Sequence, residues 1–468
     1  MKKVWRSSWS GLVTALLLAG CVSQPLTTRA ATAPVGINIP IEYYKLTNGL
    51  KVVLARDSSA PTVTVGVYYQ IGMRIEPRDR TGFAHLFEHL MFQGSTNLGK
   101  MEFVRLVESN GGVFNGSTRL DFTNYFEIVP AHTLETILWA EADRMRGLAI
   151  TQDNLANQQG VVKNEVNDNV LNQPYGGFPW LSMPQLANEN WYNAHNFYGD
   201  LAHIDAATLE DARAFFDTYY APNNAVLVVA GDFEPAQAHA WISKYFAALP
   251  ARAQPSRPDI GEPPQQAGKR KSYVDRLAPR PALAVAWHVP ERGTPDQYAF
   301  GLLDQILLQG EDSALWQKLV QERGYSGGVD GGINLLGNMF NYDGPMLWTV
   351  YLVHDPAVAP DTILADIDAE IARLKNSPPT PAELHRALTK IRAGLYDLAG
   401  ASDHFGLVDL LASFALFDDD PTLINRIESE FRAIKPEMIS DVARRYLQDS
   451  QKSVLIVEPG KAPGGAQP

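Results

Sequence analysis

Cysteine is almost absent from this chain of 468 residues, Cys21 being the only one. The folded body therefore holds no internal disulfide, and an oxidising compartment, if the chain enters one, is not used to stabilise it. Positive charge is also in short supply. Lys and Arg number 40 against 52 Asp and Glu, a formal net charge of −12. That balance argues against nucleic-acid binding and leaves no basic patch for a membrane surface. Long apolar runs are missing too: Leu12 to Leu18 falls far short of the ~20 residues needed to span a bilayer. The glycine-rich run Gly327 to Gly332 lacks the Lys and the strand–loop–helix setting of a phosphate loop and reads as a loop connecting strands. The rest of the composition, 45% hydrophobic and 20% charged, is that of an ordinary globular protein, and the length fits two to three domains.

One pentapeptide carries chemistry. His85-Leu86-Phe87-Glu88-His89 reads H-x-x-E-H, the reverse of the H-E-x-x-H zinc-protease signature. Histidines four apart lie one turn apart on one helix face, and Glu88, three residues after His85, projects from that face as well. Zinc hydrolases need this set: neutral nitrogen ligands, an open coordination position for water, and a carboxylate to take the water's proton. A pattern with three fixed positions also occurs in unrelated helices, where such histidines are ordinary polar residues. The flanks favour a site. Phe83, Leu86, Phe87, Leu90 and Met91 make an apolar stripe at helical spacing, with Gly94 as a C-terminal stop, so the motif lies on a packed helix. A zinc site needs a third protein ligand. Glu165, in Val161-Val162-Lys163-Asn164-Glu165-Val166, is the best candidate, although spacing alone favours a solvated side chain over a ligand by a wide margin. The other histidines (His132, His195, His203, His239, His288, His354, His385 and His404) show no paired ligand spacing and read as structural.

From these residues outward the sequence resembles the pitrilysin and mitochondrial-processing-peptidase family of zinc metallopeptidases. Leu46-Thr47-Asn48-Gly49-Leu50 resembles the family's opening hairpin, Gly111 to Thr118 its substrate-strand entry, and Ala142-Asp143-Arg144-Met145 its next helix. Lys163-Asn164-Glu165 with Asn172-Gln173-Pro174-Tyr175-Gly176 resembles the segment bearing the distal Glu ligand, and Tyr220 to Ala225 with Val229 to Asp232 the close of the catalytic domain. The matches run in the family's order over roughly residues 40–235 and more weakly to about 458. The resemblance implies one zinc per chain, held by His85, His89 and Glu165, with Glu88 as general base and a peptide added as a strand along Phe114, Asn115, Gly116, Ser117 and Thr118. It also implies an Arg and a Tyr from the second half to hold the oxyanion. Tyr325 matches the Tyr; Lys318 stands at the Arg position and supplies charge without a planar fork. Asn115-Gly116-Ser117 departs from the family's Asn-Ala before Thr. Family relatives close a chamber from four such domains, so a two-domain chain is expected to pair, as a homodimer or with a related metal-free subunit.

A worn repeat supports two halves. His85 to Gly94 lines up with Gly301 to Gly310, with the apolar positions and the final Gln-Gly retained and Gly301, Asp304 and Gln305 in place of His85, Glu88 and His89. The expected fold class is α+β: two homologous α/β-roll domains, each a mostly antiparallel sheet packed against helices. Strands are predicted over Leu50–Ala55, Thr62–Gln70, Phe122–Val129, Ala225–Val229, Ala282–His288 and Met346–Val353, and helices over Met101–Ser109, Leu134–Met145 and Asp296–Leu308. At the N-terminus, Lys2, Lys3 and Arg6 precede the short apolar core, and Leu18-Ala19-Gly20-Cys21 resembles a bacterial lipobox. Val22 after the cysteine resembles outer-membrane sorting. The expected division is signal peptide 1–20, tether 21–40, zinc domain 41–249, linker 250–270, homologous domain 271–458 and disordered tail 459–468. The expected function is a zinc endopeptidase cutting peptides or unfolded polypeptides in the bacterial cell envelope, lipid-anchored at Cys21 to the outer membrane and facing the periplasm. The alternatives are a non-catalytic structural or assembly subunit and a lipoprotein that binds peptides without cutting them. Cys21→Ser is expected to abolish lipid attachment. Membrane fractionation checks this, and unchanged membrane association would point instead to a protein partner or an uncleaved signal.

Overall fold

Strand-forming sequence falls in two blocks, and each block makes one sheet. The computed structural model describes residues 36–401 and 403–460; the expected signal peptide, Cys21, the tether as far as residue 35 and the tail from residue 461 lie outside them. The first sheet holds β1 (Glu42–Lys45), β2 (Lys51–Arg56), β3 (Thr62–Tyr69), β4 (Val113–Thr118), β5 (Thr123–Pro130) and β6 (Ala225–Gly231), in the order β1-β2-β6-β3-β5-β4. The second holds β7 (Lys269–Asp275), β8 (Ala282–His288), β9 (Asp330–Ile333), β10 (Leu347–Val353) and β11 (Ser453–Pro459), in the order β7-β11-β8-β10-β9. All neighbours are antiparallel except β2–β6 and β7–β11. Without β1, the two sheets have the same strand order, with the parallel pair in the same place. The helix Pro295–Leu307 follows β8 as the helix Phe83–Leu90 follows β3. The fold is the duplicated α+β architecture that the worn repeat implies.

Each half covers one face of the other's sheet. In β2, β3 and β6, Val52, Leu54, Val63, Val65, Val67, Leu227 and Val229 pack on first-half helices through Leu86, Phe87, Leu138 and Phe216. The alternate residues, Val53, Ala55, Tyr68, Val226, Val228 and Ala230, are buried in a second core with Leu407, Val408 and Leu411 of the helix Phe405–Phe417 from the second half. Reciprocally, Ala282, Ala284, Ala286, Leu455 and Val457 of the second sheet are covered by Phe178, Met183 and Ala187 of the first half. Strands buried on both faces carry near-continuous apolar sequence, which is why β6 reads as an unbroken hydrophobic run.

Several expectations change. Residues 37–40, read as tether, are docked: Ile37 and Ile39 pack on the second-half core, and the Ile39 backbone exchanges hydrogen bonds with the Asn425 side chain (2.8 and 2.9 Å). The linker forms neither helix nor strand up to Gly268, but Lys269 and Arg270 already belong to β7. The linker is also strapped down, with Asn193 Nδ2 donating to Ile260 O (2.9 Å) and Arg257 paired with Asp343 (2.7 Å). The glycine run is not wholly a loop. Gly331 and Gly332 form part of β9 at φ 140 and 138, and a Cβ on Gly331 would fall 1.9 Å from Thr349 O. Strand propensity failed there because close backbone approach, rather than side-chain packing, makes the strand.

Gly66 of β3 marks a close approach of the second-half helix: a Cβ there would lie 2.6 Å from Val408 Cγ1 and 3.1 Å from Tyr68 Cε2. Val408 is fully buried and stiff at χ1, so it cannot step aside. Gly66→Ala should therefore destabilise the fold by about 1–3 kcal/mol in urea unfolding. Adding Val408→Ala should recover part of that loss relative to the sum of the two single changes.

Candidate metal centre

The motif helix, Phe83–Leu90, has only two turns, and tertiary contacts fix its ends. Gly82 precedes it at φ 85, and a Cβ there would meet Tyr198 O at 2.7 Å, so only glycine fits. No side chain at Gly82 caps the helix. Glu76 does so from upstream, accepting hydrogen bonds from Gly82 N (2.8 Å) and Ala84 N (2.6 Å). Burial pushes the Glu76 carboxyl up to about 8, and the two N–H donors offset this only in part. The predicted apolar stripe is buried, with Phe87 5.0 Å from Phe215 and 5.2 Å from Tyr220 between ring centroids. The helix ends at Leu90, and the chain turns away through Gly94 at φ 114.

Burying that stripe turns the polar face towards β4 and the helix Gln152–Val166. Thr151 caps this second helix by accepting from Asn154 N (3.2 Å). Gln159 Nε2 bonds Ile204 O (2.7 Å) and Lys163 pairs with Asp205, tying the helix to the segment Leu201–Ala206. Glu165 sits in its last turn. The result is a three-residue cluster. His85 Nε2 and His89 Nε2 are 3.3 Å apart, and the two Glu165 carboxylate oxygens lie 3.4 Å from the first and 3.2 Å from the second. Among the described residues this is the one group of three or more His, Cys, Asp or Glu side chains arranged to share a metal ion. Tetrahedral zinc with bonds of ~2.0–2.1 Å holds its ligand atoms roughly 3.3 Å apart. The tripod therefore fits zinc in donor type and in spacing. The imidazoles hold the Glu165 carboxylate well below the usual carboxylate range. Among the described residues His85 Nδ1 is buried without a hydrogen-bond partner, and its ring lies against Tyr198 at 5.2 Å.

Glu88 is oriented by the strand beside it. Its Oε2 accepts from Thr118 Oγ1 at 2.7 Å. Gly116 passes so close that a Cβ would lie 3.3 Å from Glu88 Cγ and 3.2 Å from the Tyr125 ring, so glycine at this departure from the family pattern leaves the base unpressed. Among the described residues β4 is an edge strand paired only with β5, which leaves its outer edge without a strand partner along Phe114 to Thr118. Phe114 packs against Phe92 (5.2 Å), Asn115 is exposed, and Ser117 Oγ bonds Asn124 Oδ1 (2.5 Å).

Tyr325 and Lys318 are engaged elsewhere. Tyr325 OH donates to Asp366 Oδ2 (2.9 Å), which Arg323 also holds, and Lys318 Nζ pairs with Glu322 (2.8 Å). These bonds stay within the second half and bring neither side chain to the cluster. The tyrosine that does stand beside it is Tyr198, which the sequence did not reveal. Its loop is pinned to the motif helix by Asp200 N donating to Thr81 Oγ1 (2.9 Å) and by Gly199 lying against Gly82. Neither Tyr198 nor Glu76 carries a local signal, because each reaches the motif only through folding. Among the described residues the second half has no ligand set at the equivalent place, although Asp304 and Gln305 still line a pocket there. A Cβ on Gly301 would strike Met339 Cε at 2.8 Å. The Asp304 carboxyl, pushed up to about 6 by burial, accepts from Trp348 Nε1 (2.6 Å) and Gln309 Nε2 (3.2 Å) and so serves the core.

Paired catalytic-type and worn halves of one architecture, with an H-x-x-E-H tripod in the first, define a metallopeptidase class. Two family models agree: insulinase (peptidase family M16) matches residues 51–184, and the peptidase M16 inactive domain matches residues 206–391. The chain belongs to peptidase family M16. It is 27% identical over 453 residues to the zinc protease PqqE of Helicobacter pylori, covering 94% of this chain and 98% of that protein. It is 24% identical over 472 residues to the beta subunit of the mitochondrial-processing peptidase of Bos taurus, covering 96% and 92%. A solved protease from Helicobacter pylori superposes with a TM-score of 0.82 at 25% identity, covering 90% of this chain and all of that one. A Pseudomonas fluorescens structure described as a peptidase M16 inactive domain shares the fold at a TM-score of 0.77 and 19% identity, covering 92% of this chain and 100% of that one.

Glu165→Gln removes the charged ligand while keeping its size. Zinc affinity, measured by chelator competition, should fall more than ~100-fold, beyond the loss typical of outer-shell changes. Full zinc occupancy in that variant at low free metal would show that another residue completes the site.

Proposed function

We propose that this protein is a zinc-dependent endopeptidase acting on peptides or unfolded polypeptides. The observation that carries the reading is the spacing of the tripod: His85, His89 and Glu165 stand at the mutual distances that a tetrahedral zinc requires. A zinc ion held by His85, His89 and Glu165 would supply Lewis-acid chemistry and make a water acidic enough to lose its proton near neutral pH. Glu88 accepts the proton from the attacking water and passes it to the leaving amine. Thr118 keeps the Glu88 carboxylate aimed through its hydrogen bond. The open edge of β4 receives the peptide by main-chain hydrogen bonds, which need little sequence. The second half serves as a wall without a metal of its own, so each chain carries one zinc.

Pairing of the chain follows from the family's four-domain chambers and is supported by a relative that is itself a subunit. A homodimer or a heterodimer with a related metal-free chain would shelter the site from folded proteins. The N-terminal pattern that ends in Leu18-Ala19-Gly20-Cys21 supports a lipid-anchored protein of the bacterial envelope, at the outer membrane and facing the periplasm.

Glu88→Gln should retain zinc and lose about 10²–10⁴-fold in kcat on an unstructured peptide. Thr118→Val should lower kcat by roughly tenfold with KM unchanged, since a hydrogen bond to a charged group is worth ~1.5–3 kcal/mol and only its aiming effect is removed. Thr118→Ser should restore the rate. Wild-type turnover by Glu88→Gln would sink the mechanism, and failure of Ser to rescue would assign Thr118 a purely structural role.

A further inference from the structure

A second feature lies beside the metal site and takes no part in the chemistry above. Between the halves is a small pocket of about 50 Å³, walled by Leu120, Trp180 and Met183 of the first half and by Leu335, Leu336 and Met346 of the second. Arg74, Asn188 and Asn334 in its wall are already committed to protein partners. Arg74 Nε donates to Asp121 (2.7 Å) and its Nη1 to Pro345 O (3.0 Å). Asn188 Nδ2 donates to Asn193 O (2.9 Å) while its Oδ1 faces His288 Nε2 (2.8 Å). Asn334 Nδ2 donates to Asn341 Oδ1 (2.9 Å). The space therefore offers apolar surface and no free charge, which suits an uncharged aliphatic or aromatic group.

Two independent paths join this pocket to the metal cluster. The Trp180 ring lies 5.8 Å from the Tyr198 ring, which lies 5.2 Å from the His85 ring. Leu120 also stands two residues beyond Thr118, the last residue of β4 and the hydrogen-bond partner of Glu88. An extended peptide advances ~3.3 Å per residue, so a strand lying on β4 with its scissile bond at Glu88 brings a side chain to the pocket about two to four residues from that bond. We infer that this pocket is a substrate-specificity subsite that takes one apolar side chain of about leucine's size at a fixed distance from the cleaved bond. The inference rests on the endopeptidase reading and deepens it. The two halves each supply part of the wall, so the worn second half reads the substrate although it binds no metal.

The test uses a set of unstructured peptides in a Ser/Gly background, each carrying a single Leu moved one position at a time. Binding is measured by fluorescence anisotropy on zinc-loaded Glu88→Gln protein, and cleavage products of the wild-type enzyme are mapped by mass spectrometry. One Leu should raise affinity on the order of tenfold over the all-Ser/Gly peptide, the increment a hydrophobic pocket gives an apolar side chain. The wild-type cut should keep a fixed offset from the Leu as the Leu moves. Leu336→Asp, on a half-exposed loop, and Trp180→Ala, each in the Glu88→Gln background, should erase the increment without changing binding of the Ser/Gly peptide. An increment that survives both substitutions, or none in the parent protein, overturns the inference. A normal increment in a wild-type protein that cuts no peptide would leave the subsite standing and remove the endopeptidase reading.

Discussion

The Phe87 ring, packed against Phe215 and Tyr220, sets the rotation of the motif helix about its own axis. Burial of a Phe side chain is worth about 1.5–3 kcal/mol, enough to decide which face of a two-turn helix points inward. With Phe83, Leu86, Phe87 and Leu90 inside, His85, Glu88 and His89 have one direction left, towards β4 and Glu165. Glu76 and the Gly82–Tyr198 contact then fix the helix lengthwise. Rotation and position together bring the three ligand side chains to the spacing of a metal tripod.

How much of this was legible in the sequence follows the range of each interaction. The motif helix was read correctly because its apolar stripe is local and periodic. The strands β2, β3, β5, β6, β8 and β10 were placed within one or two residues for the same reason. Glu165 could not be assigned by spacing, because it reaches His85 and His89 only after Gln152–Val166 packs beside the motif helix; resemblance supplied it, and the structure sets its carboxylate oxygens 3.4 and 3.2 Å from the two imidazoles. Glu76 and Tyr198 were missed because nothing near them in sequence announces a cap or a ring partner. The error over Gly331 and Gly332 has another source, since those residues make a strand by having no side chain at all. Position matching also proposed Tyr325, but it could not see Asp366, which holds the hydroxyl.

The duplication explains the division of labour. Both halves keep the same strand order and the same helix after the second strand of the shared core, so the fold does not require a metal. In the second half Met339 and Phe431 pack where a side chain on Gly301 would stand, and the Asp304 carboxyl has become a buried hydrogen-bond acceptor. What that half retains is surface: it covers the first sheet with the helix Phe405–Phe417 and contributes Leu335, Leu336 and Met346 to the cavity beside Trp180. Thr118 ties the β4 edge to Glu88, and the Trp180 and Tyr198 rings connect that cavity with His85.

The central claim is that His85, His89 and Glu165 form one zinc site per chain. Zinc K-edge X-ray absorption on protein loaded with a single equivalent of zinc tests it most directly. The account predicts a four-coordinate ion with two imidazole nitrogens and oxygen donors at ~2.0–2.1 Å, with no sulfur shell. A spectrum showing one histidine or none, or a second equivalent bound with the same affinity, would contradict it.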